Sequence, residues 1–266
     1  MVTILAGAFG FLGAFIAHDL AAQALADQPL RPGKGTCPNC GTHRGWSRAR
    51  CPKCDRRVGR ELVTALIAAL VAVGFAKTIG SDWALVPYLG FLVLTLALGI
   101  TDIDSLRIVD RLNLKGTLFL SAVLALASIA DSNPGSMLRA LLAAAAYFGG
   151  TALVYAVVRG RGFGFGDVKL SVQLGLFAGY ISWGTLGWSV LLTALIGGVL
   201  SIIVLISGVL ASRSQARQRS AGENSDEESV RLRDAMKTEL PYGPAMIIGC
   251  WLAIIMAGLG AFPIPT

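Results

Sequence analysis

The sequence predicts an all-α fold, a polytopic membrane helix bundle of about eight transmembrane helices with a small cytoplasmic zinc-ribbon loop. Of its 266 residues, 54% are hydrophobic and only 15% are charged, and the mean hydropathy is +0.65. The apolar residues are grouped in blocks of about 18–25, the length of a helix that crosses a bilayer. Four cysteines form two close pairs in a basic polar segment. These observations exclude a soluble globular domain as the main part of the chain.

Eight apolar segments are separated by short breaks, and we interpret each as a membrane span: residues 2–24, 61–79, 83–101, 113–131, 137–158, 168–182, 184–210 and 241–263. The sixth and seventh segments are divided only by Ser182-Trp183-Gly184. The first segment lacks the basic start and short apolar core of a signal peptide. Its three glycines, Gly7, Gly10 and Gly13, are typical of a span that packs closely against its neighbours.

The polar stretches between the spans divide the chain into five predicted regions. These are a first transmembrane helix at 1–24, a cytoplasmic loop with the four cysteines at 25–60, a transmembrane core at 61–210, a polar cytoplasmic loop at 211–240 and a last transmembrane helix at 241–266. The loop at 211–240 mixes basic and acidic residues and is too polar to bury a core, so we interpret it as a solvated linker.

The net charge of +7 is distributed unevenly along the chain. Of the 23 Lys and Arg residues, 21 fall in four of the connecting segments, residues 25–60, 102–115, 159–169 and 211–240. The other side of the membrane keeps only Lys77 and Arg139. Eight spans place all four basic segments on one side, which the positive-inside rule makes cytoplasmic, and both termini outside. The basic charge therefore predicts membrane topology and contact with a lipid bilayer, with no nucleic acid as a partner.

Five cysteines separate into four paired residues and one single residue. Cys37-Pro-Asn-Cys40 and Cys51-Pro-Lys-Cys54 form a C-x2-C-x10-C-x2-C pattern. Two such pairs suit a tetrahedral zinc ion, and four thiolates leave no open position for a catalytic water, so we predict a closed structural site. The alternatives are His43 as a competing ligand, and a redox pair or two disulfides, which a cytoplasmic location disfavours. Cys250 lies inside the last span and is interpreted as a packing residue.

Basic residues and Trp46 surround the cysteine pairs. A zinc ribbon with basic and aromatic residues binds nucleic acid in some proteins. Here the ribbon is tethered to a membrane, which favours contact with anionic lipid headgroups. A third interpretation is that the ribbon positions a substrate segment beside the active site, and the sequence leaves this choice open.

Two acidic residues, Asp102 and Asp167, stand at the cytoplasmic ends of separate spans. An ionisable group at a membrane boundary is costly, which makes it a candidate functional group. Asp167 closes the turn Gly164-Phe165-Gly166-Asp167, whose glycines allow another chain to approach closely. Two carboxylates that share a site do not both ionise easily, so one keeps a proton while the other deprotonates water. The pair therefore predicts hydrolysis of an amide bond at the membrane surface, the alternative being acids that only balance nearby arginines.

Several short motifs follow one another along the chain. In order, they are Gly10-Phe11-Leu12-Gly13, the double cysteine pair, Glu61-Leu62, Asp102 with Ile108-Val109-Asp110, Gly164-Phe165-Gly166-Asp167-Val168-Lys169-Leu170, and Pro241-Tyr242-Gly243-Pro244-Ala245. This ordered set resembles the prepilin peptidases, the type IV leader peptidase family of bacterial membrane aspartic proteases with a GxGD motif. Each motif alone is weak, whereas the full order is specific and covers most of the chain.

The resemblance implies that Asp102 and Asp167 are the catalytic pair, with Asp104 as a second choice for the first position. Asp102 is preferred because it stands eight residues before Asp110. The residues that would support the active site are Gly164, Gly166, Lys169 and Asp110. The implied substrate is a prepilin or pseudopilin precursor with a short basic leader, cut after a glycine at the cytoplasmic face of the bacterial inner membrane.

The chain departs from the family pattern at three places. Val109 stands where the family has proline, the ten-residue spacing between the cysteine pairs is short, and residues 14–18 read Ala-Phe-Ile-Ala-His in place of the familiar run before the cysteines. Many family members also methylate the new amino terminus, and their amino-terminal part is linked to that activity. S-adenosylmethionine is therefore an implied cofactor only if this chain retains methyltransferase activity.

Two other functions compete with the leader peptidase interpretation. An intramembrane protease of the presenilin type also uses GxGD, but it cuts within an apolar segment and carries Pro-Ala-Leu where this chain has Pro-Tyr-Gly-Pro. A proton-coupled transporter or a structural subunit would need its acids nearer the middle of the bilayer. Ion flux that depends on the carboxylates, without peptide cleavage, would favour the transporter.

Overall fold

The computed structural model describes residues 1–25, 59–106, 108–158, 164–218 and 242–260. Within these residues the chain forms helices and no strands, which confirms the all-α prediction. The eight helices are α1 (Val2–Leu25), α2 (Gly59–Ile79), α3 (Leu85–Ser105), α4 (Asp110–Ala130), α5 (Pro134–Val158), α6 (Phe165–Ile181), α7 (Trp183–Gln218) and α8 (Gly243–Gly258). Each of the eight predicted spans therefore corresponds to one helix.

Six of the eight helices are long and apolar enough to cross a membrane: α1 to α5, with α2 counted from Arg60, and residues Trp183–Ile203 of α7. The other two, α6 and α8, have 17 and 16 residues. At a rise of 1.5 Å per residue they are about 25 Å long, somewhat less than the roughly 30 Å of a bilayer core. Helix α6 begins beside Asp167, and α8 begins beside Asp102.

A single residue, Ser182, separates α6 from α7. Its backbone is extended, with φ −167° and ψ 162°, and its Oγ accepts a hydrogen bond from the N–H of Thr185 at 3.0 Å. Serine in this position satisfies one of the free N–H groups at the start of a helix. The break predicted at residues 182–184 is therefore a capped helix start.

The glycines of α1 lie where neighbouring helices come close. A Cβ atom on Gly10 would stand 2.5 Å from the carbonyl oxygen of Ala68 in α2, and one on Gly13 would stand 2.7 Å from Cγ2 of Val93 in α3. Larger side chains would push these helices apart. The prediction of close packing by the first span is confirmed.

An aromatic cluster joins α3 to α6. The rings of Phe91 and Phe177 stack with their centroids 4.3 Å apart, and the hydroxyl of Tyr88 donates to the carbonyl oxygen of Phe177 at 2.5 Å. Since α3 and α6 run in opposite directions here, the carboxyl end of α3 lies beside the amino end of α6. This packing brings Asp102, fourteen residues after Tyr88, to the same end of the bundle as Asp167, ten residues before Phe177.

Arg139 stabilises the opposite end of α6. Its guanidinium donates to the carbonyl oxygens of Gly179, Tyr180 and Ile181 at 2.6–2.9 Å, and to the Oγ of Ser136 at 3.0 Å. A cation that binds the last carbonyls of a helix satisfies acceptors which have no partner within the helix. Arg139 is one of the two basic residues outside the four basic segments, and this contact gives it a structural role at the end of α6.

We expect Arg139→Met to destabilise the protein by about 2–3 kcal/mol, because three carbonyl oxygens lose a charged donor. The thermal unfolding midpoint of the detergent-solubilised protein measures this effect. Lys77→Met is the matched control, because Lys77 is exposed at the end of α2 and its loss should cost less than about 0.5 kcal/mol. Equal midpoints for the two variants would contradict the capping role of Arg139.

Candidate active site

Asp102 lies in the last turns of α3 and is only 5% exposed. Its Oδ2 accepts a hydrogen bond from the backbone N–H of Gly243, the first residue of α8, at 3.1 Å. A Cβ atom on Gly243 would stand 2.7 Å from the same oxygen, so only glycine allows this approach. The main-chain oxygen of Asp102 also accepts a bond from the N–H of Leu106 at 2.8 Å, where the chain leaves the helix at φ 53°.

Asp167 lies in the first turn of α6 and is 6% exposed. Its Oδ2 accepts the N–H of Gly164 at 3.2 Å, and its own N–H donates to the carbonyl oxygen of Gly164 at 3.1 Å. The partial positive charge at a helix start favours a carboxylate there. The Gly-Phe-Gly-Asp turn thus folds as predicted, with the aspartate turned back onto the first glycine.

The two carboxylates are close enough to influence each other. Burial, and next the charge of Asp102, raise the pKa of Asp167 to about 7, whereas the hydrogen bond from Gly164 acts in the opposite direction. Asp167 precedes the predicted span 168–182 by one residue, so it stands at the membrane boundary. A raised pKa of this size keeps one proton on the pair near neutral pH. Such a pair can act as a base towards water and as an acid towards a carbonyl or amine.

Asp104, the second choice for the first acid, lies elsewhere. Its side chain is 38% exposed, and its Oδ1 accepts a hydrogen bond from Nη1 of Arg60 at 2.5 Å. Arg60 belongs to the first turn of α2. The structure therefore brings Asp102, and not Asp104, towards Asp167.

Lys169 and Asp110 form an ion pair with each other. The distance from Nζ to Oδ2 is 2.6 Å, and the ammonium also lies 5.0 Å from the centroid of the Phe165 ring. Both partners are exposed, so the pair adds little stability by itself. Its geometric effect is to join the first turn of α4 to the first turn of α6.

The part of the chain that carries the two aspartates is similar to a known protein family. Residues 89–206 match the model of the type IV leader peptidase family. The matched segment runs from α3 into α7 and contains both buried aspartates. This segment of 118 of the 266 residues is similar to the type IV leader peptidase family.

The chain is also similar to proteins that are named prepilin leader peptidase/N-methyltransferase. It is 25% identical over 215 residues to one from Aeromonas hydrophila, which covers 79% of this chain and 63% of that protein. It is 27% identical over 241 residues to one from Pseudomonas aeruginosa, with 82% and 70% covered. A protein from Bacillus subtilis is 28% identical over 173 residues, with 63% and 64% covered. The chain therefore spans 63% to 70% of the length of these relatives, and no solved structure matches it.

Three residues near the aspartates were not given a role by sequence reasoning. Gly243 binds Asp102, the ring of Tyr242 packs directly on Gly197 of α7, and Ile108 contacts two glycines beside the aspartates. Gly243 and Tyr242 stood in the Pro-Tyr-Gly-Pro motif. A glycine at the start of a helix in a proline-rich turn is a signal of close backbone approach, which could have identified Gly243. Ile108 stood in the Ile108-Val109-Asp110 motif, but nothing in the local sequence indicates that its side chain lies beside both glycines.

The predicted zinc ligands, Cys37, Cys40, Cys51 and Cys54, lie outside the described residues, as does most of the loop 211–240. Among the residues that the structure does describe, no group of three or more metal-ligating side chains comes together. The four cysteines remain the predicted metal site of the chain. Cys250 is buried in α8, where its Sγ lies 3.8 Å from the carbonyl oxygen of Leu174, in agreement with a packing role.

Proposed function

We propose that this chain is a membrane aspartic endopeptidase that removes the short basic leader from type IV prepilin or pseudopilin precursors. The observation that carries the proposal is the buried pair of Asp102 and Asp167, which interact electrostatically at the end shared by α3 and α6. The names of the relatives support the choice of substrate. The distribution of Lys and Arg supports cleavage at the cytoplasmic face of the bacterial inner membrane.

The reaction follows from the single proton of the pair. The ionised carboxylate takes a proton from a water molecule, whose oxygen then attacks the scissile carbonyl carbon. The protonated carboxyl group donates its proton to the carbonyl oxygen as charge develops there. Collapse of the tetrahedral intermediate breaks the C–N bond, and the new amine leaves with the proton that the first carboxylate had accepted. A hydroxyl group of the intermediate returns its proton to the second carboxylate as the new carboxyl group forms, which restores the singly protonated pair. Gly243 holds Asp102 and Gly164 holds Asp167 in fixed orientations throughout.

Two further properties of the protein stay predictions: methylation of the new amino terminus and a structural zinc site. The relatives' names include N-methyltransferase, and methylation of the new amino terminus would use S-adenosylmethionine as the methyl donor. The four cysteines would hold zinc as a structural ion, with no part in the proton transfers.

The placement of the acids also bears on the alternative functions. Asp102 lies near the carboxyl end of α3 and Asp167 near the amino end of α6, so both are at the same end of the bundle. A proton-coupled carrier is expected to hold its acids near the midplane of the bilayer. This placement favours hydrolysis at a membrane surface.

The test of the proposal is cleavage of a prepilin or pseudopilin precursor by purified, detergent-solubilised protein. Mass spectrometry should find the leader and the mature chain, cut after the leader glycine. A precursor in which that glycine is replaced by a large residue is the matched substrate control, and it should be cut far more slowly. Absence of cleavage of several precursors, in detergent and in reconstituted bilayers, would overturn the proposal.

The cleavage rate is expected to fall as the pH rises above about 7, because the pKa of Asp167 is raised to about 7 and the pair then loses its remaining proton. The rate falls because the singly protonated pair is the active form, which is present below this pKa and is lost above it. Measurement of kcat between about pH 5 and 9 checks this. A rate that stays constant or rises up to the alkaline limit would contradict it.

A further inference from the structure

Ile108 lies on the short connection between α3 and α4, two residues before α4 begins, and its side chain is partly buried. The side chain lies beside two glycine residues from different helices, on the side where each would carry a Cβ atom. A Cβ atom on Gly166 would stand 3.1 Å from Cβ and 3.5 Å from Cδ1 of Ile108, and one on Gly243 would stand 3.5 Å from the same Cδ1. Ile108 therefore packs against the backbone at the starts of both α6 and α8.

Each of these two glycines adjoins one of the aspartates. Gly243 donates its N–H to Asp102, and Gly166 immediately precedes Asp167. The distance between the two glycine backbones therefore influences the distance between the two carboxylates, and the Ile108 side chain occupies the space between them.

The segment that carries Ile108 is itself attached to both sides of the site. At its start, the N–H of Leu106 binds the main-chain oxygen of Asp102 at 2.8 Å. At its end, Asp110 pairs with Lys169, two residues beyond Asp167, at 2.6 Å. The connection is thus bound to α3 at one end and to α6 at the other, with Ile108 between these two contacts.

We propose that Ile108 is a positioning residue that sets the separation of the Asp102 and Asp167 carboxylates by filling the space between Gly166 and Gly243. An isoleucine suits this place because branching at Cβ leaves its side chain few rotamers. Its apolar surface also keeps water from the space between the two helix starts. The proposal rests on the proposed peptidase function for its catalytic consequence, while its structural consequence is independent of any substrate.

Shortening the side chain removes the contact that holds the two helix starts apart. Either water enters the space, or the helix starts move together, and the separation of the carboxylates changes in both cases. Small displacements of catalytic groups reduce turnover, by about 10²-fold for a shift near 1 Å. We therefore expect kcat to fall by about 10–100-fold in Ile108→Ala. KM should change little, because the role is exerted through the aspartates.

The first measurement compares Ile108→Ala and Ile108→Val with Ile103→Ala. Ile103 follows Asp102 directly but is 54% exposed, so the control makes the same truncation at a surface position. Ile108→Val keeps most of the contact and should recover most of the kcat. The pH above which kcat declines should shift in Ile108→Ala only. Equal losses in Ile108→Ala and Ile103→Ala, or an unchanged kcat and pH profile in Ile108→Ala, would overturn the proposal.

The second measurement needs no substrate and follows thermal stability against pH. A folded-state pKa raised to about 7 gives stability that is present at low pH and is lost as the pH rises through that value. This decline should be absent in Asp167→Asn, weaker in Ile108→Ala and unchanged in Ile103→Ala. Asp167 interacts with Asp102 from α3, Tyr147 from α5 and Tyr242 before α8. Tyrosines ordinarily titrate near pH 10, so the decline reports on the carboxylate pair.

The two measurements separate the two proposals. If the wild type does not cleave precursors but the pH dependence of stability weakens in Ile108→Ala and not in Ile103→Ala, the peptidase function fails and the positioning role stands. If the wild type cleaves and the pH dependence is the same in Ile108→Ala as in the wild type, the positioning role fails and the function stands. Size-exclusion chromatography of each variant confirms that folded protein is being compared, and Ile108→Val serves if Ile108→Ala does not fold.

Discussion

Asp167→Asn is expected to reduce cleavage by about 10³-fold or more, because an amide cannot give the carbonyl oxygen the proton that the carboxyl group with the raised pKa carries. The fold should persist, since the amide oxygen of asparagine can still accept the hydrogen bond from Gly164. Neutral asparagine also lacks the cost of burying a charge at this position. The variant should therefore unfold at the same temperature as the wild type or slightly higher.

Asp102→Asn is expected to produce a loss of the same size, because the pair works as one unit and either member alone leaves the proton transfers incomplete. Asp104→Asn is the matched control from the same helix end. Its side chain is exposed and pairs with Arg60, so the variant should keep cleavage within about threefold of the wild type. Initial rates of precursor cleavage at equal folded yield check all three variants. Loss of activity in Asp104→Asn with activity retained in Asp102→Asn would reverse the assignment.

Gly243→Ala is expected to reduce kcat by about 10–100-fold without preventing folding, because it displaces a catalytic carboxylate by a sizeable fraction of roughly 1 Å. The added Cβ would stand 2.7 Å from Oδ2 and 3.2 Å from Cγ of Asp102, closer than van der Waals contact allows. The carboxylate must therefore move away from the N–H that holds it. The same methyl group would be in ordinary contact with Ile108, at 3.5 Å, so the strain falls mainly on the aspartate.

Gly135→Ala is the matched control for this substitution. Gly135 also lies in the first turn of its helix, α5, and a Cβ there would meet nothing within 4 Å. Alanine is the better helix former, so this control should be active and unchanged or slightly more stable, by up to about 1 kcal/mol. Steady-state kinetics at equal folded yield compare the two variants. Full activity in Gly243→Ala would show that the hydrogen bond from α8 does not position Asp102.

Much of the fold was predictable because a bilayer imposes simple rules on sequence. Apolar length identifies membrane helices, and all eight predicted segments became helices. The one-residue break at Ser182 was visible as a polar residue before Trp183-Gly184, because a serine that caps a helix has a local signature. The bounds were less predictable: the third span was expected to end at 101, but α3 continues to Ser105 and so includes Asp102 within the helix. Polar residues at a helix end do not reveal where the hydrogen-bonded turns stop.

The candidate site was predictable in part for a similar reason. Asp167 lies in a turn whose glycines and helix start are adjacent in sequence, so its local structure could be predicted from the sequence. Asp102 and Asp104 could not be separated by local pattern alone, because both follow the same apolar segment at a spacing of two. Lys169 is another case, since its partner, Asp110, is 59 residues away, and a separation of that size leaves no local signal of the ion pair.

The sequence by itself determined that this is a helical membrane protein whose motifs resemble those of the leader peptidases, and it predicted that the acids and the basic segments lie at one end. These properties depend on composition, order and spacing, which tertiary contacts do not alter. Only the tertiary structure decided that Gly243 holds Asp102, that Asp104 pairs with Arg60, and that Ile108 lies between Gly166 and Gly243. The physical reason is that each contact joins helices far apart in the chain, as with the 141 residues between Asp102 and Gly243, and depends on how the helices pack.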